Sequence, residues 1–112
     1  MSPIRLTQAT ALVLQALATG RRHGFQIMEV SGLPSGTVYP VLRRLERELA
    51  VESEWEDAAE ASAAGRRVRR IYQLTESGQE LAERARQRLA DTHRLLSDSV
   101  FGDVKPSGAS GP

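Results

Sequence analysis

The chain has 112 residues, a formal net charge of +1, 40% hydrophobic and 4% aromatic residues, and no cysteine. That length suits a single domain with a modest, mainly aliphatic core. The missing thiols exclude a disulfide framework, thiolate chemistry and a cysteine-rich zinc site. No apolar run approaches membrane-spanning length, and the N-terminus lacks the charged region, apolar core and cleavage site of a signal peptide, so a cytoplasmic location with no membrane partner is expected.

The spacing of Leu6, Ala9, Leu12, Val13, Ala16 and Leu17 predicts a first helix from Leu6 to Thr19, stopped by Gly20. Ala11 and Leu14 widen its apolar stripe enough to touch two layers. A short second helix is expected from His23 to Val30, with Phe25, Ile27 and Met28 as core candidates and Ser31-Gly32 as its break. A third helix is expected from Ser35, as N-cap, to Leu49. In it Val38, Leu42, Leu45 and Leu49 recur at spacings that point them all to the core. The opposite arc carries Gly36, Pro40, Arg43 and Arg47, flanked by Thr37, Tyr39 and Arg44. Pro40 is read as close enough to the helix start for its missing amide to cost little.

Two strands follow. Val51 to Trp55 alternates, with Val51 and Trp55 on one face and Glu52 and Glu54 on the other; Val68 to Leu74 alternates with Tyr72 and Leu74 inward. The Ala-, Glu- and Ser-rich stretch from Asp57 to Gly65 reads as a loose hairpin tip. Thr75 then caps a long helix from Glu76 to about Val100, with Gly78 weakening its first turns by about 1 kcal/mol relative to alanine. Residues 102–112 read as a disordered tail. The fold expected is mainly α with a small β-hairpin. Residues 1–75 form a winged helix-turn-helix, and residues 76–101 a C-terminal dimerisation helix.

In a helix-turn-helix the second helix of the pair enters the major groove. Helix three suits that role. Gly36 permits close backbone approach, and Ser35 and Thr37 can donate to phosphates at the positive end of the helix. Tyr39 offers a ring and a hydroxyl; Arg43 and Arg47 lie one turn apart on the outer face, where an arginine can take a guanine edge or a phosphate, and Arg44 is a further DNA-binding candidate. The basic run Arg66, Arg67, Arg69 and Arg70 begins the returning strand. It can contact DNA, best at Arg66 and Arg67, or it can pair with Glu52, Glu54 and Glu56 across the hairpin. The stripe Leu81, Ala85, Leu89, Thr92, Leu96 and Val100 repeats near coiled-coil spacing and reads as a homodimer seam, helix one being its only alternative packing partner. His23 and His93 are the only histidines, and neither has ligand spacing around it. No catalytic residue, metal or cofactor is expected, and the chain is not read as an enzyme.

The run from Leu33 to Glu46, with Ser35-Gly36-Thr37-Val38-Tyr39-Pro40 at its centre, resembles the PadR family of transcriptional regulators. So do His23-Gly24-Phe25, Ser53-Glu54-Trp55-Glu56, and Gly65-Arg66-Arg67 leading to Tyr72-Gln73-Leu74-Thr75-Glu76-Ser77-Gly78. The resemblance spans residues 6–100 and looks like the family's short branch, with one C-terminal helix. It implies a dimeric repressor on a pseudo-palindromic operator. DNA would be read by helix three (Ser35, Thr37, Tyr39, Arg43) and by the wing (Arg66, Arg67). Some family members release DNA on binding aromatic acids or flat hydrophobic drugs, which makes a small hydrophobic effector a further candidate partner. Three features depart from the family pattern: a short helix two, Leu49 where glycine is usual, and no aromatic in the last helix before Phe101. Two competing readings are a winged-helix protein-interaction module without DNA binding, suggested by the acidic stretch Glu46 to Glu60, and a sensor with its pocket between helix one and the last helix.

Overall fold

The computed structural model describes residues 4–101, and of residues 99–101 the backbone alone. The element order is α1 (Gln8–Ala18), α2 (Gly24–Ser31), α3 (Ser35–Arg47), β1 (Val51–Trp55), α4 (Ala58–Ala63), β2 (Arg70–Leu74) and α5 (Glu76–Phe101). The architecture is the expected mainly helical one with a two-stranded antiparallel hairpin and a long last helix. The reading of residues 102–112 as a tail lies outside the described residues, as does the side chain of Val100.

Helix α1 is the centre of the core. Thr7 caps it, its hydroxyl accepting from the Thr10 amide at 3.1 Å, so the helix starts later than the apolar pattern implied. Ala11, Val13, Leu14, Ala16 and Leu17 are all buried, which requires partners on more than one side. Helices α2 and α3 cover one side and α5 covers another. In α2, Ile27 is fully buried while Phe25, expected in the core, is 63% exposed. The two lie 200° apart on a helical wheel, so a single short helix cannot turn both towards α1.

Helix α3 starts differently from the expectation. Pro34, extended at φ −76° and ψ 163°, is the N-cap residue, and its carbonyl accepts from Thr37 and Val38 at 2.9 and 3.0 Å. Ser35 is therefore the first helical residue and not the cap. Pro40 is the sixth, beyond the unbonded first turn, so its ring removes a real helical bond to the Gly36 carbonyl. Gly36 is exposed, and water can take that carbonyl. Val38, Leu42 and Leu45 are buried as expected, joined by Val41. Leu49 is not: it adopts φ +64°, lies beyond the helix end and is 74% exposed. The left-handed turn lets the Ala50 amide reach back to the Leu45 carbonyl at 2.9 Å, closing the helix end.

In the hairpin Val51 pairs with Leu74, Ser53 with Tyr72 and Trp55 with Arg70. Alternate residues of a strand share a face, so Val51, Ser53 and Trp55 do lie together, with Leu74, Tyr72 and Arg70 opposite them. Val51 is buried, but Trp55 is 63% exposed. The returning strand starts at Arg70, two residues later than expected, and the Tyr72 amide donates to the Arg22 carbonyl at 2.8 Å, tying the hairpin to the α1–α2 turn.

The segment expected as a loose tip is a short helix. Asp57 caps α4, accepting from Ala59 and Glu60 at 2.7 and 3.1 Å, and Ala61 is buried. Six residues cannot hold a helix alone; Glu56 staples this one. Its carboxylate is 5% exposed, accepts from both Arg66 Nη atoms and from the Arg69 amide at 3.1 Å, and faces the Arg69 guanidinium at 3.7 Å. The Arg66 hydrogen bond leads, with the Arg69 amide and both arginine charges adding, and the Glu56 carboxyl falls to about 2 despite its burial.

Helix α5 begins under the cap of Thr75, whose hydroxyl oxygen accepts from the Gly78 amide at 3.1 Å. A Cβ at Gly78 would overlap the Ala50 carbonyl oxygen. Here glycine therefore provides close approach, and the propensity loss anticipated from sequence is secondary. Leu81, Ala82 and Ala85 are buried against the rest of the chain, and Leu89 is partly buried.

Three measurements check these points. Gly78→Ala should destabilise by about 1–3 kcal/mol in urea, against its helix propensity, because the clash is with backbone. Leu49→Gly should stabilise by about 0.5–1 kcal/mol, the relieved left-handed strain exceeding glycine's extra chain entropy. Glu56 has a folded pKa below its ordinary 4.5, so its contribution is complete above about pH 4.5 and fades as the pH falls towards about 2. The stability gap between wild type and Glu56→Gln should close over that interval; a gap independent of pH would contradict this.

Candidate nucleic-acid interface

The outer arc of α3 is open. Ser35, Gly36, Tyr39, Pro40, Arg43, Arg44 and Arg47 are exposed and Thr37 is half-buried. No atom lies near the place a Gly36 Cβ would occupy, so the backbone there can be approached closely. Tyr39 is 37% exposed, and its ring rests on Gly24 at the start of α2, where a Cβ would overlap the Tyr39 hydroxyl. Gly24 thus sets the position of Tyr39, a dependence the spacing of residues did not reveal. The one cue was the glycine in His23-Gly24-Phe25.

Three arginines of this helix, Arg43, Arg44 and Arg47, have no ion-pair partner among the described residues. The basic run on the hairpin is different. Arg66 and Arg69 are held by Glu56, and Arg70 lies 3.6 Å from Glu46 of α3. Arg67 alone of the four is exposed with no ion-pair partner among the described residues. The cross-strand alternative therefore describes Arg66, although the acceptor is Glu56 and not Glu52 or Glu54.

The hairpin is joined to α3 by polar contacts. Ser53 donates to Glu46 at 2.6 Å, and Arg70 Nε donates to Ser53 at 3.0 Å. The Arg70 guanidinium lies over the Trp55 ring, 5.0 Å from its centroid. Burial, then the Arg69 charge, lowers the His23 pKa and favours neutral imidazole at the α2 start. Burial, with the neighbouring Tyr39, raises that of Tyr72. No group of three or more metal-ligating side chains occurs among the described residues.

The stripe on α5 divides in two. Leu81 and Ala85 are buried in the chain's own core, chiefly against α1, with Leu89 packed at its margin. Thr92 is half-buried, while Leu96 is 57% and Leu95 68% exposed. The far half of α5 carries the uncovered apolar surface, and Leu95 belongs to it although the expected stripe omitted it.

The chain matches the family model described as the transcriptional regulator PadR-like family over residues 13–84. No curated protein matches it. A PadR family transcription regulator from hypervirulent Clostridium difficile R20291 superposes with a TM-score of 0.66 at 19% identity, covering 84% of this chain and 99% of that one. The PcaV transcriptional regulator of Streptomyces coelicolor has a TM-score of 0.66 at 22% identity, over 88% of this chain and 70% of its own. BpsR of Bordetella bronchiseptica has a TM-score of 0.64 at 20% identity, over 96% and 74%. At such identities the structural likeness establishes the winged-helix fold, while the family match establishes kinship: this chain belongs to the PadR-like family of transcriptional regulators.

Proposed function

We propose that the protein is a sequence-specific DNA-binding repressor that acts as a homodimer on a pseudo-palindromic operator. The observation that carries this reading is the contrast in charge. Arg43, Arg44 and Arg47 stand on the exposed arc of α3 with no ion-pair partner among the described residues, while three of the four hairpin arginines are engaged by glutamates. Unpaired guanidinium groups on the second helix of a helix-turn-helix are what base edges and phosphates require. Ser35, Gly36, Thr37, Tyr39 and Pro40 complete the reading surface, and Arg67 supplies a wing contact to phosphate.

The dimer would form on the far half of α5, where Leu95 and Leu96 are exposed and Leu6, Arg88, Asp91 and Thr92 border a shallow cleft beside them. Pairing about a two-fold axis would present two α3 helices to half-sites about one helical turn, or a multiple of it, apart. Exposed apolar surface at the end of a long helix is a common mark of such association.

A cleft of about 550 Å³ favours control by an effector. It lies between the end of α1, β2 and the start of α5, with Leu17, Tyr72 and Leu74 as apolar lining and Arg21, Arg22 and the Arg86–Glu83 ion pair at its polar side. The Oε1 of Gln15, another lining residue, is buried without a partner. That mixture suits a compact aromatic anion. BpsR has its DNA binding regulated by 6-hydroxynicotinic acid, and PcaV was solved with its natural ligand.

Gel shifts against duplexes selected from a random pool test the main reading. Arg43→Ala should weaken specific binding by about 1–3 kcal/mol and relax base preference at one position of each half-site. Gly24→Ala should weaken binding by displacing Tyr39, even where the variant melts like wild type. Leu96→Glu should shift the chain towards monomer in sedimentation and lower operator affinity with it. Absence of binding at low salt would favour the protein-interaction alternative.

A further inference from the structure

We propose that Trp55 is the principal wing contact to DNA, packing on the sugar–phosphate edge beside the segment read by α3. The proposal rests on the DNA-binding reading above and adds a residue to it. Trp55 is the only tryptophan in the chain, and it is 63% exposed. An exposed indole offers a partner a large apolar ring together with one N–H donor.

Its surroundings are built. Arg70 opposes Trp55 across the hairpin and stacks on one face of the ring. Arg70 is itself held by Ser53 at 3.0 Å and by Glu46 at 3.6 Å, and Ser53 donates to the same Glu46 carboxylate at 2.6 Å. Glu46 stands on α3, one turn beyond Arg43. The guanidinium that stacks on the indole is thus tied to α3 through Ser53 and Glu46.

The face of the hairpin narrows the occupant. Trp55 shares the side of Ser53 and Val51, which looks towards α3, whereas Glu52 and Glu54 occupy the opposite side. A partner on the Trp55 side meets the indole, Arg70 and the α3 surface together. The exposed Arg67 lies just before β2. The indole, Arg70 and the arginines of the α3 arc, with Glu46 holding Arg70 between them, offer an aromatic and cationic surface to a phosphodiester strand. The ring can pack on deoxyribose while its N–H donates to a phosphate oxygen. Because the hairpin arginines are mostly engaged by Glu56 and Glu46, the indole is the largest uncommitted group the wing offers.

A single tryptophan makes the test direct. The full chain is titrated with a duplex of roughly 40 base pairs selected by the wild-type protein, long enough for two half-sites and flanks, and with the same duplex trimmed to the half-sites. Binding is followed by anisotropy of labelled DNA and, separately, by tryptophan emission. Emission should change in step with anisotropy on the long duplex. Trp55→Ala should lose on the order of tenfold affinity for the long duplex, in line with aromatic contacts to nucleic acid, and match wild type on the trimmed one. Trp55→Phe should lose less, and both variants should melt like wild type because the side chain is exposed. Unchanged emission at saturating duplex would overturn the proposal, as would equal losses on both duplexes, or emission that shifts on dilution without DNA, which would place the indole at a subunit contact. Failure of selection to enrich any duplex would defeat the DNA-binding reading itself and, with it, this one.

Discussion

The crowded junction at Leu49, Ala50 and Gly78 holds the molecule together as a functional unit. The left-handed turn at Leu49 ends α3 and returns the Ala50 amide to Leu45. The Ala50 carbonyl then accepts from the Thr75 amide at 3.0 Å, and the Leu49 carbonyl accepts from the Thr75 and Ser77 hydroxyls at 2.7 and 3.1 Å. Gly78 allows the last helix to close against the Ala50 carbonyl. The end of α3, both strand roots and the start of α5 are thereby fixed to one another within a few residues. Any motion of α5 relative to the hairpin must pass through this point. The cleft between α1, β2 and α5 lies beside it, lined by Leu74 and Gln79 among others.

Charge is the second organising constraint. A net charge of +1 conceals an uneven arrangement. Glu56 neutralises the hairpin tip and folds α4 onto it, and Glu46 secures the hairpin to α3. Among the described residues, Arg43, Arg44 and Arg47 of α3 and Arg67 of the hairpin keep no ion-pair partner. A local cationic arc can thus coexist with near-zero net charge, because local potential and not the sum governs encounter. The acidic stretch from Glu46 to Glu60, which suggested a protein partner, is in part internal wiring: Glu46, Glu56 and Asp57 each hold an arginine, a serine or a helix terminus.

The sequence made legible what depends on periodicity. The core stripe Val38, Leu42 and Leu45 and the exposed arc opposite it follow from helical spacing alone, as do the alternating strands and the long last helix. The misread features were decided by backbone turns or distant partners. Leu49 continued the apolar spacing, but spacing cannot reveal that the chain turns left-handed there without glycine. Phe25 lost its core position to Ile27 through geometry that a short helix imposes. Residues 57–65 looked like a loop because α4 is too short to be stable without Glu56. Gly24 and Gly78 carry no pattern, since their purpose appears only when Tyr39 and the Ala50 carbonyl arrive from elsewhere. The α5 stripe was read as one seam because period says nothing about which half the chain's own core will cover.

Protection of guanine N7 from methylation along a selected duplex tests most directly whether α3 lies in the major groove. N7 is accessible only from that groove. Two protected patches are expected, centred about one helical turn or a multiple of it apart, with protection in each patch diminished by Arg43→Ala. Tight binding with no N7 protection, or a single patch insensitive to Arg43, would contradict the assignment of α3 as the DNA-reading helix of a two-fold dimer.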